Sequence, residues 1–490
     1  MRLISLLSIL MLVGGMIMAS EIPKDIQKLI DQGEYGKARK ALEKASEKKG
    51  ISDSGRRSLL FEAERLRRIP IDFKLTTDDV LRQIKKDIPD ATMEDVKTWT
   101  ADGTLEGRMI DGKQCYYRRA VRNLYILNEK AASRREKFEK EKKEKETDQY
   151  GQAIDMKVHA KAALEARKKA DSPLVTPKRF RVDYSLSVNP GQVPKGELIR
   201  CWLPFPKEVR TQEDIKLVSS SPEKCVIAPN ECDQRTVYLE QPSKGDEPTK
   251  FSIAFEYTAY AFVKPIDPEK IEPYDTSSEL YKKYTAERPT QIVFTPEIRQ
   301  MAKEICKDEA NPYLRAKRIF EWVQTNIPWS GAIEYSLAPN LAMRALKRRT
   351  GDCGMQGLLF INLCRVSGVP ARWQSGWSLR PTKENMHDWA EFYVEPYGWL
   401  YADASRGLMD SEDPGVKWFN FGNFDPYRMI VNTNYGARLH PPKEHFRSEP
   451  VDFQRGEVEW KGGNLYFNQW NWDFDVRPLS ARIKATGTPE

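Results

Sequence analysis

At Thr176 the hydrophobic period of the chain changes, and that change limits what the chain can fold into. Before it, apolar residues recur every three to four positions, as in Ile26, Leu29 and Ile30 or Leu59, Leu60, Ala63 and Leu66, the stripe of an amphipathic helix. After it, Phe180, Val182, Tyr184, Leu186 and Val188 alternate with polar residues, and Phe251, Ile253, Phe255 and Tyr257 do the same. That is the period of strands with one buried face. Helical spacing returns at Ile298, Met301, Ala302 and Ile305 and again at Ala316, Ile319, Phe320 and Val323, and strand alternation follows from Ala371. Helices and strands therefore come in blocks. Blocks predict an α+β multidomain protein, not an alternating α/β sheet, and 490 residues allow two to four domains.

Residues 1–19 carry Arg2 and an apolar run to Ala19, followed by Ser20 and the polar Glu21-Ile22-Pro23-Lys24-Asp25. This pattern predicts a cleaved signal peptide, hence a secreted or periplasmic protein with no transmembrane span in the mature chain. The first cysteine is Cys115, too late for a lipoprotein site. Residues 20–70 are expected to be helical hairpins, with a faint likeness to one tetratricopeptide repeat. Residues 71–130 are expected to form a winged-helix-type unit: two helices, then a hairpin turning at Asp111-Gly112. Residues 131–176 mix Lys and Glu at helical spacing, as a solvated helical linker would. Residues 177–264 should form a β-sandwich. The catalytic-looking segment spans 285–410. An aromatic-rich extension, 411–490, holds Leu465, Phe467, Trp470, Trp472 and Phe474 at the spacing of closing strands. The composition breaks near 175 and 285 lead us to expect that residues 177–490 fold without the helical part.

With 79 basic and 71 acidic residues the net charge is only +8, too mild to argue for nucleic acid, and an exported winged helix would not meet a promoter. No partner of that kind is expected. An odd cysteine count, seven, leaves at least one free thiol in an exported chain. Cys225 and Cys232 are the one close pair that might be bridged, with seven reduced thiols as the alternative.

The chemistry sits in three short stretches: Gly351-Asp352-Cys353-Gly354, then His387-Asp388-Trp389-Ala390-Glu391, then Gly398-Trp399-Leu400-Tyr401-Ala402-Asp403. Together they offer a thiol, an imidazole and a carboxylate, the parts of a nucleophilic triad: the thiol attacks, the imidazole takes its proton, and the carboxylate sets the imidazole tautomer. Leu358, Leu359, Ile361, Leu363 and Val366 follow Cys353 at helical spacing and end at Gly368-Val369-Pro370, which places Cys353 in a first helical turn. Free N–H groups and the helix dipole there are expected to lower the thiol's pKa and to serve an oxyanion, with the Gly354 N–H as one candidate. Trp329 and Tyr335, in the preceding loop, and Trp389 are candidates for substrate or oxyanion contacts, with plain aromatic packing as the alternative. Cys364 lies eleven residues on, ~16 Å along the helix axis, and is expected to be a core residue. His159, His440 and His445 lack comparable framing. No metal-ligand, phosphate-loop or dinucleotide motif occurs, and no cofactor is expected.

Four pieces in this order resemble the core of the transglutaminase-like superfamily, whose arrangement is papain-like. They are Gly351-Asp352-Cys353 opening a helix, Gly368-Val369-Pro370-Ala371-Arg372 closing it, His387-x-Trp389-x-Glu391, and Gly398-Trp399-x-x-x-Asp403. The resemblance covers roughly residues 290–405 and implies that Cys353, His387 and Asp403 are the family's Cys, His and Asp. It further implies a cysteine-dependent acyl transfer acting on peptide, protein or cell-wall peptide, hydrolytic unless an acceptor amine binds. A cross-linking transglutaminase and a catalytically idle scaffold are the rival expectations.

Overall fold

The computed structural model describes residues 22–137, 155–380 and 383–479. The expected leader and residues 138–154 of the linker lie outside these. Among the described residues no helix is long and apolar enough to cross a membrane.

The helical part opens with Lys24–Asp31, Tyr35–Ser46 and Asp53–Asp72, the last capped by Ser52 accepting from the Gly55 N–H. Helices Thr77–Asp87 and Met93–Ala101 each begin with a reciprocal capping box, Thr76 with Asp79 and Thr92 with Asp95. Each box satisfies two N–H groups that a helix start leaves without partners. The hairpin Gly107–Ile110 and Lys113–Tyr116 follows, turning at Asp111 and Gly112, both at positive φ, and helix Ala120–Leu127 closes the unit.

The β domain is two sheets face to face. One has the order Trp470–Leu479, Leu174–Val188, Thr249–Phe262, Gln212–Ser221; the other, Gly463–Leu465, Glu457–Trp460, Leu198–Pro204, Thr236–Pro242, Cys225–Ile227. The last strands of the chain thus complete both sandwich sheets. This corrects the expected boundary of the sandwich at 264, since part of the 411–490 extension belongs to it. The reason is edge pairing: Leu174–Val188 and Leu198–Pro204 would otherwise offer open edges, and Trp470–Leu479 and Glu457–Trp460 cover them over their lengths.

A third sheet carries the site. Its order is Phe421–Gly422, Gly398–Ala402, Lys383–Val394, Ala371–Arg380, Arg428–Asn432, all antiparallel. Helix Cys353–Val366 is buried over most of its length and packs on one face through Gly357, where a methyl group would just touch Trp373 and the Trp389 backbone. The other face meets the sandwich: Trp377 stacks on Phe474 with ring centroids 4.9 Å apart and lies 4.9 Å from Tyr184. Burying one such aromatic is worth roughly 4–6 kcal/mol of transfer free energy, so the sandwich and the catalytic sheet share a core.

The helical part is joined to the rest as tightly. One continuous apolar cluster runs from Ile26 and Leu42 through Phe73 and Tyr117 to Phe320, Leu358 and Phe392. Polar links seal it: Tyr466 donates to Asp72 at 2.7 Å, Asn123 and Gly331 exchange hydrogen bonds at 2.8 and 2.9 Å, and Glu334, itself buried, is paired with both Arg118 and Arg455. The expectation that residues 177–490 form a separate unit is therefore corrected. Composition marked the solvated linker and missed the buried faces on either side of it.

Candidate active site

Cys353 begins its helix, and Asp352 is the cap, its Oδ1 accepting from the Met355 N–H at 3.1 Å. Gly354 is required beside it: a Cβ there would lie 2.1 Å from the Tyr335 hydroxyl and 2.8 Å from Asp388 Oδ2. His387 lies opposite Gly376 on the neighbouring strand. A Cβ on Gly376 would meet the Met429 carbonyl oxygen at 1.8 Å, so the bare glycine lets strand Arg428–Asn432 close in and deliver Arg428.

His387 Nε2 and Asp403 Oδ2 are 2.7 Å apart. Asp403 has no exposed surface and also accepts from Arg428 Nη1 at 2.9 Å and, through Oδ1, from the Arg406 N–H at 3.1 Å. Burial alone would raise the Asp403 pKa, yet His387, Arg428 and Arg406 hold it well below the usual carboxylate range. Burial pushes His387 down against the pull of Asp403, which leaves the ring neutral at pH 7. A neutral ring facing an ionised carboxylate must carry its proton on Nε2 and donate it to Asp403, so the Nδ1 lone pair is free to act as a base.

The thiol differs from expectation in two respects. Cys353 Sγ donates to Asp388 Oδ2 at 3.3 Å, not to His387. Its pKa stands well above the ordinary value, pushed up by burial and then by the Asp388 and Asp352 charges. Desolvation and two carboxyls outweigh the helix N-terminus expected to favour the thiolate. Asp388 was missed altogether. Nothing local in the sequence marks it, because its role comes from a contact with Cys353 thirty-five residues away.

The aromatic candidates separate. Tyr335 donates to Asp352 at 2.9 Å and stands 3.2 Å from Asp388 Oδ2, so its hydroxyl orders the carboxyls beside the sulfur and is not a free oxyanion donor. Trp389 is buried, and its Nε1–H is committed to Gln374 Oε1 at 2.9 Å; it packs beside His387, with ring centroids 5.7 Å apart. Trp329 is 36% exposed, pairs its backbone with Gly351 and lies 5.8 Å from the Arg122 guanidinium, which places it on the rim of the thiol loop. Cys364 is fully buried, and all seven cysteines are free thiols. Among the described residues no group of His, Cys, Asp and Glu side chains is disposed to hold a metal ion. A cleft of about 680 Å³ lies elsewhere, between helix Asp53–Asp72 and the Trp460–Leu465 turn. No cysteine, serine or threonine lines it, so the chemistry of Cys353, His387 and Asp403 locates the site.

A family model described as the Transglutaminase-like superfamily matches residues 299–404. That span contains Cys353, His387 and Asp403, so this part of the chain carries a transglutaminase-like domain. Among solved structures it is similar to a candidate cysteine protease from Cytophaga hutchinsonii, at 16% identity over 63% of this chain and 93% of that one, with a TM-score of 0.43. It is also similar to the periplasmic domain of TgpA from Pseudomonas aeruginosa, at 13% identity over 50% of this chain and 91% of that one, TM-score 0.26. A candidate protease from Parabacteroides distasonis matches at 9% identity over 53% of this chain and 68% of that one, TM-score 0.20. No curated protein matches the chain.

Proposed function

We propose that the protein is an exported acyl-transfer enzyme that hydrolyses peptide-type amide bonds through a thioester on Cys353. The observation that carries this reading is the His387–Asp403 contact of 2.7 Å backed by buried Arg428, because it leaves Nδ1 of a neutral imidazole free to act as a base for the first-turn thiol. His387 Nδ1 takes the thiol proton, and the thiolate adds to the carbonyl carbon. His387 then protonates the departing amine, and water, deprotonated by the same nitrogen, releases the acid. The substrate would be a peptide, a protein or a cell-wall peptide, met outside the cytoplasm as the Arg2-plus-apolar leader expects. The reading needs no cofactor and no nucleic acid partner.

Peptide and peptidoglycan-fragment libraries tested on wild type and Cys353→Ala, with and without a primary amine, separate the possibilities. Hydrolysis lost in Cys353→Ala is the expected result. Cysteine-dependent amine incorporation would instead make the enzyme a cross-linking transglutaminase. No turnover, with no acyl adduct on Cys353 by mass spectrometry, would leave the idle scaffold.

A further inference from the structure

Three buried carboxyls crowd the sulfur. Asp388 Oδ2 lies 3.3 Å from Sγ and 3.2 Å from the Tyr335 oxygen, and Asp388 Oδ1 accepts from Gln454 Nε2 at 2.6 Å. The Asp352 oxygens each lie 2.9 Å from the same tyrosine oxygen. Asp452 faces Asp388 within hydrogen-bonding reach, and its buried Oδ1 has no donor. The nearby cations are engaged elsewhere, Arg455 with Glu334 and Arg447 with Glu457. Arg119 acts on Asp352 only at longer range, opposed by Glu334.

The donors do not suffice for three carboxylates. Tyr335 has one proton and directs it to Asp352, the shorter contact. Its oxygen then faces Asp388 Oδ2, and that contact is favourable only if Oδ2 carries a proton of its own. The short bond that Oδ1 accepts from Gln454 favours the carbonyl form of that oxygen and leaves the proton to Oδ2.

Resting on the nucleophile reading above, we propose that Asp388 works as a neutral carboxylic acid, a positioning residue whose Oδ2–H donates to the Cys353 sulfur once His387 has taken the thiol proton. The 3.3 Å contact then reverses: the thiol donates at rest, and the acid donates to the thiolate. No proton leaves Asp388. The proton lost by sulfur resides on His387 Nδ1, and charge is conserved within the Cys–His pair. Burial, and then the charge of Asp352, set the Asp388 pKa at about 8, so the acid form prevails at neutral pH. Above that value the carboxylate faces the sulfur directly and opposes the thiolate.

The test is site-resolved alkylation of Cys353 by iodoacetamide on the full chain, read by peptide mass spectrometry from about pH 6 to about pH 9. In wild type the rate should stop rising near pH 8, where Asp388 ionises. Asp388→Asn keeps an N–H donor that cannot ionise, so its rate should continue to rise. One pKa unit of thiol shift makes the ratio of variant to wild type about tenfold larger at the alkaline end than at the acid end. A ratio independent of pH would reduce Asp388 to packing. A loss of tenfold or more at the acid end would make it a carboxylate base; either result overturns the proposal. Asp352→Asn, which keeps the cap, removes the charge that raises Asp388 and should move the wild-type break to lower pH. It reads the same quantity should Asp388→Asn not fold, and an unmoved break overturns the proposal as well. If wild-type Cys353 were alkylated no faster than buried Cys364, the nucleophile reading would fall and this inference with it, a result distinct from the others.

Discussion

Replacing Asp403 by Asn exchanges one heavy atom and should disable the base without disturbing the core. In the native site Asp403 only accepts: from His387 Nε2–H at 2.7 Å, from Arg428 at 2.9 Å and from the Arg406 N–H at 3.1 Å. An asparagine has one accepting oxygen. Arg428 is buried and permanently charged, so the amide oxygen will turn to it, and the NH₂ group will point at His387. The ring must then accept at Nε2 and carry its proton on Nδ1, the wrong tautomer for taking a proton from a thiol. A triad held in the wrong tautomer loses about 10²–10⁴-fold in turnover. Removing the base outright, as in His387→Ala, should cost at least as much, because no tautomer survives. The stability loss should be smaller, about 1–3 kcal/mol for hydrogen bonds remade to a neutral partner, since Arg428 keeps Asp425 at 3.0 Å. Turnover and Cys353 alkylation, with thermal melting as control, check this. Turnover within about threefold of wild type in a folded Asp403→Asn variant would refute the tautomer argument and the role of Asp403.

Other outcomes follow from contacts already described. Gly354→Ala forces a methyl group against the Tyr335 hydroxyl and Asp388, and should cost about 1–3 kcal/mol together with most thiol reactivity; Gly357→Ala, whose nearest neighbour would be at an ordinary 3.7 Å, should not. Burial raises Asp352 to about 6 and Asp388 to about 8, both above their unfolded values near ~3.9. The folded state therefore binds more protons than the unfolded one, and these two groups remove stability as pH rises from about 4 to about 8. Denaturant melts should show Asp388→Asn gaining on wild type toward alkaline pH and not toward acid. Deletion of residues 22–137 should yield an insoluble or molten product, because it strips Phe73, Tyr117 and Leu124 from a continuous core and leaves Glu334 buried with one arginine fewer; a cooperative melt of residues 155–490 would show the opposite.

Local rules sufficed for what is local. Caps such as Thr76, Thr92 and Asp352 satisfy N–H groups within three residues of themselves, the Asp111-Gly112 turn needs only its own backbone, and the alternation after Thr176 reports one buried face. The four motif pieces could be placed on helix and strand for the same reason, and with them Cys353, His387 and Asp403. Whatever depends on residues far apart in the chain was decided by tertiary structure alone. That strands near 460 and 475 pair with strands near 200 and 180 cannot be read from alternation, because every half-buried strand alternates alike. That Arg428, twenty-five residues beyond Asp403, joins His387 in holding its charge, and that Gln454 and Asp452 reach Asp388, required tertiary packing to bring distant segments together. The thiol's environment is the plainest case. Its position in a first turn is a local fact that favours the thiolate, but its protonation depends on how deeply it is buried and which charges surround it, and those are set by the packing of the whole domain.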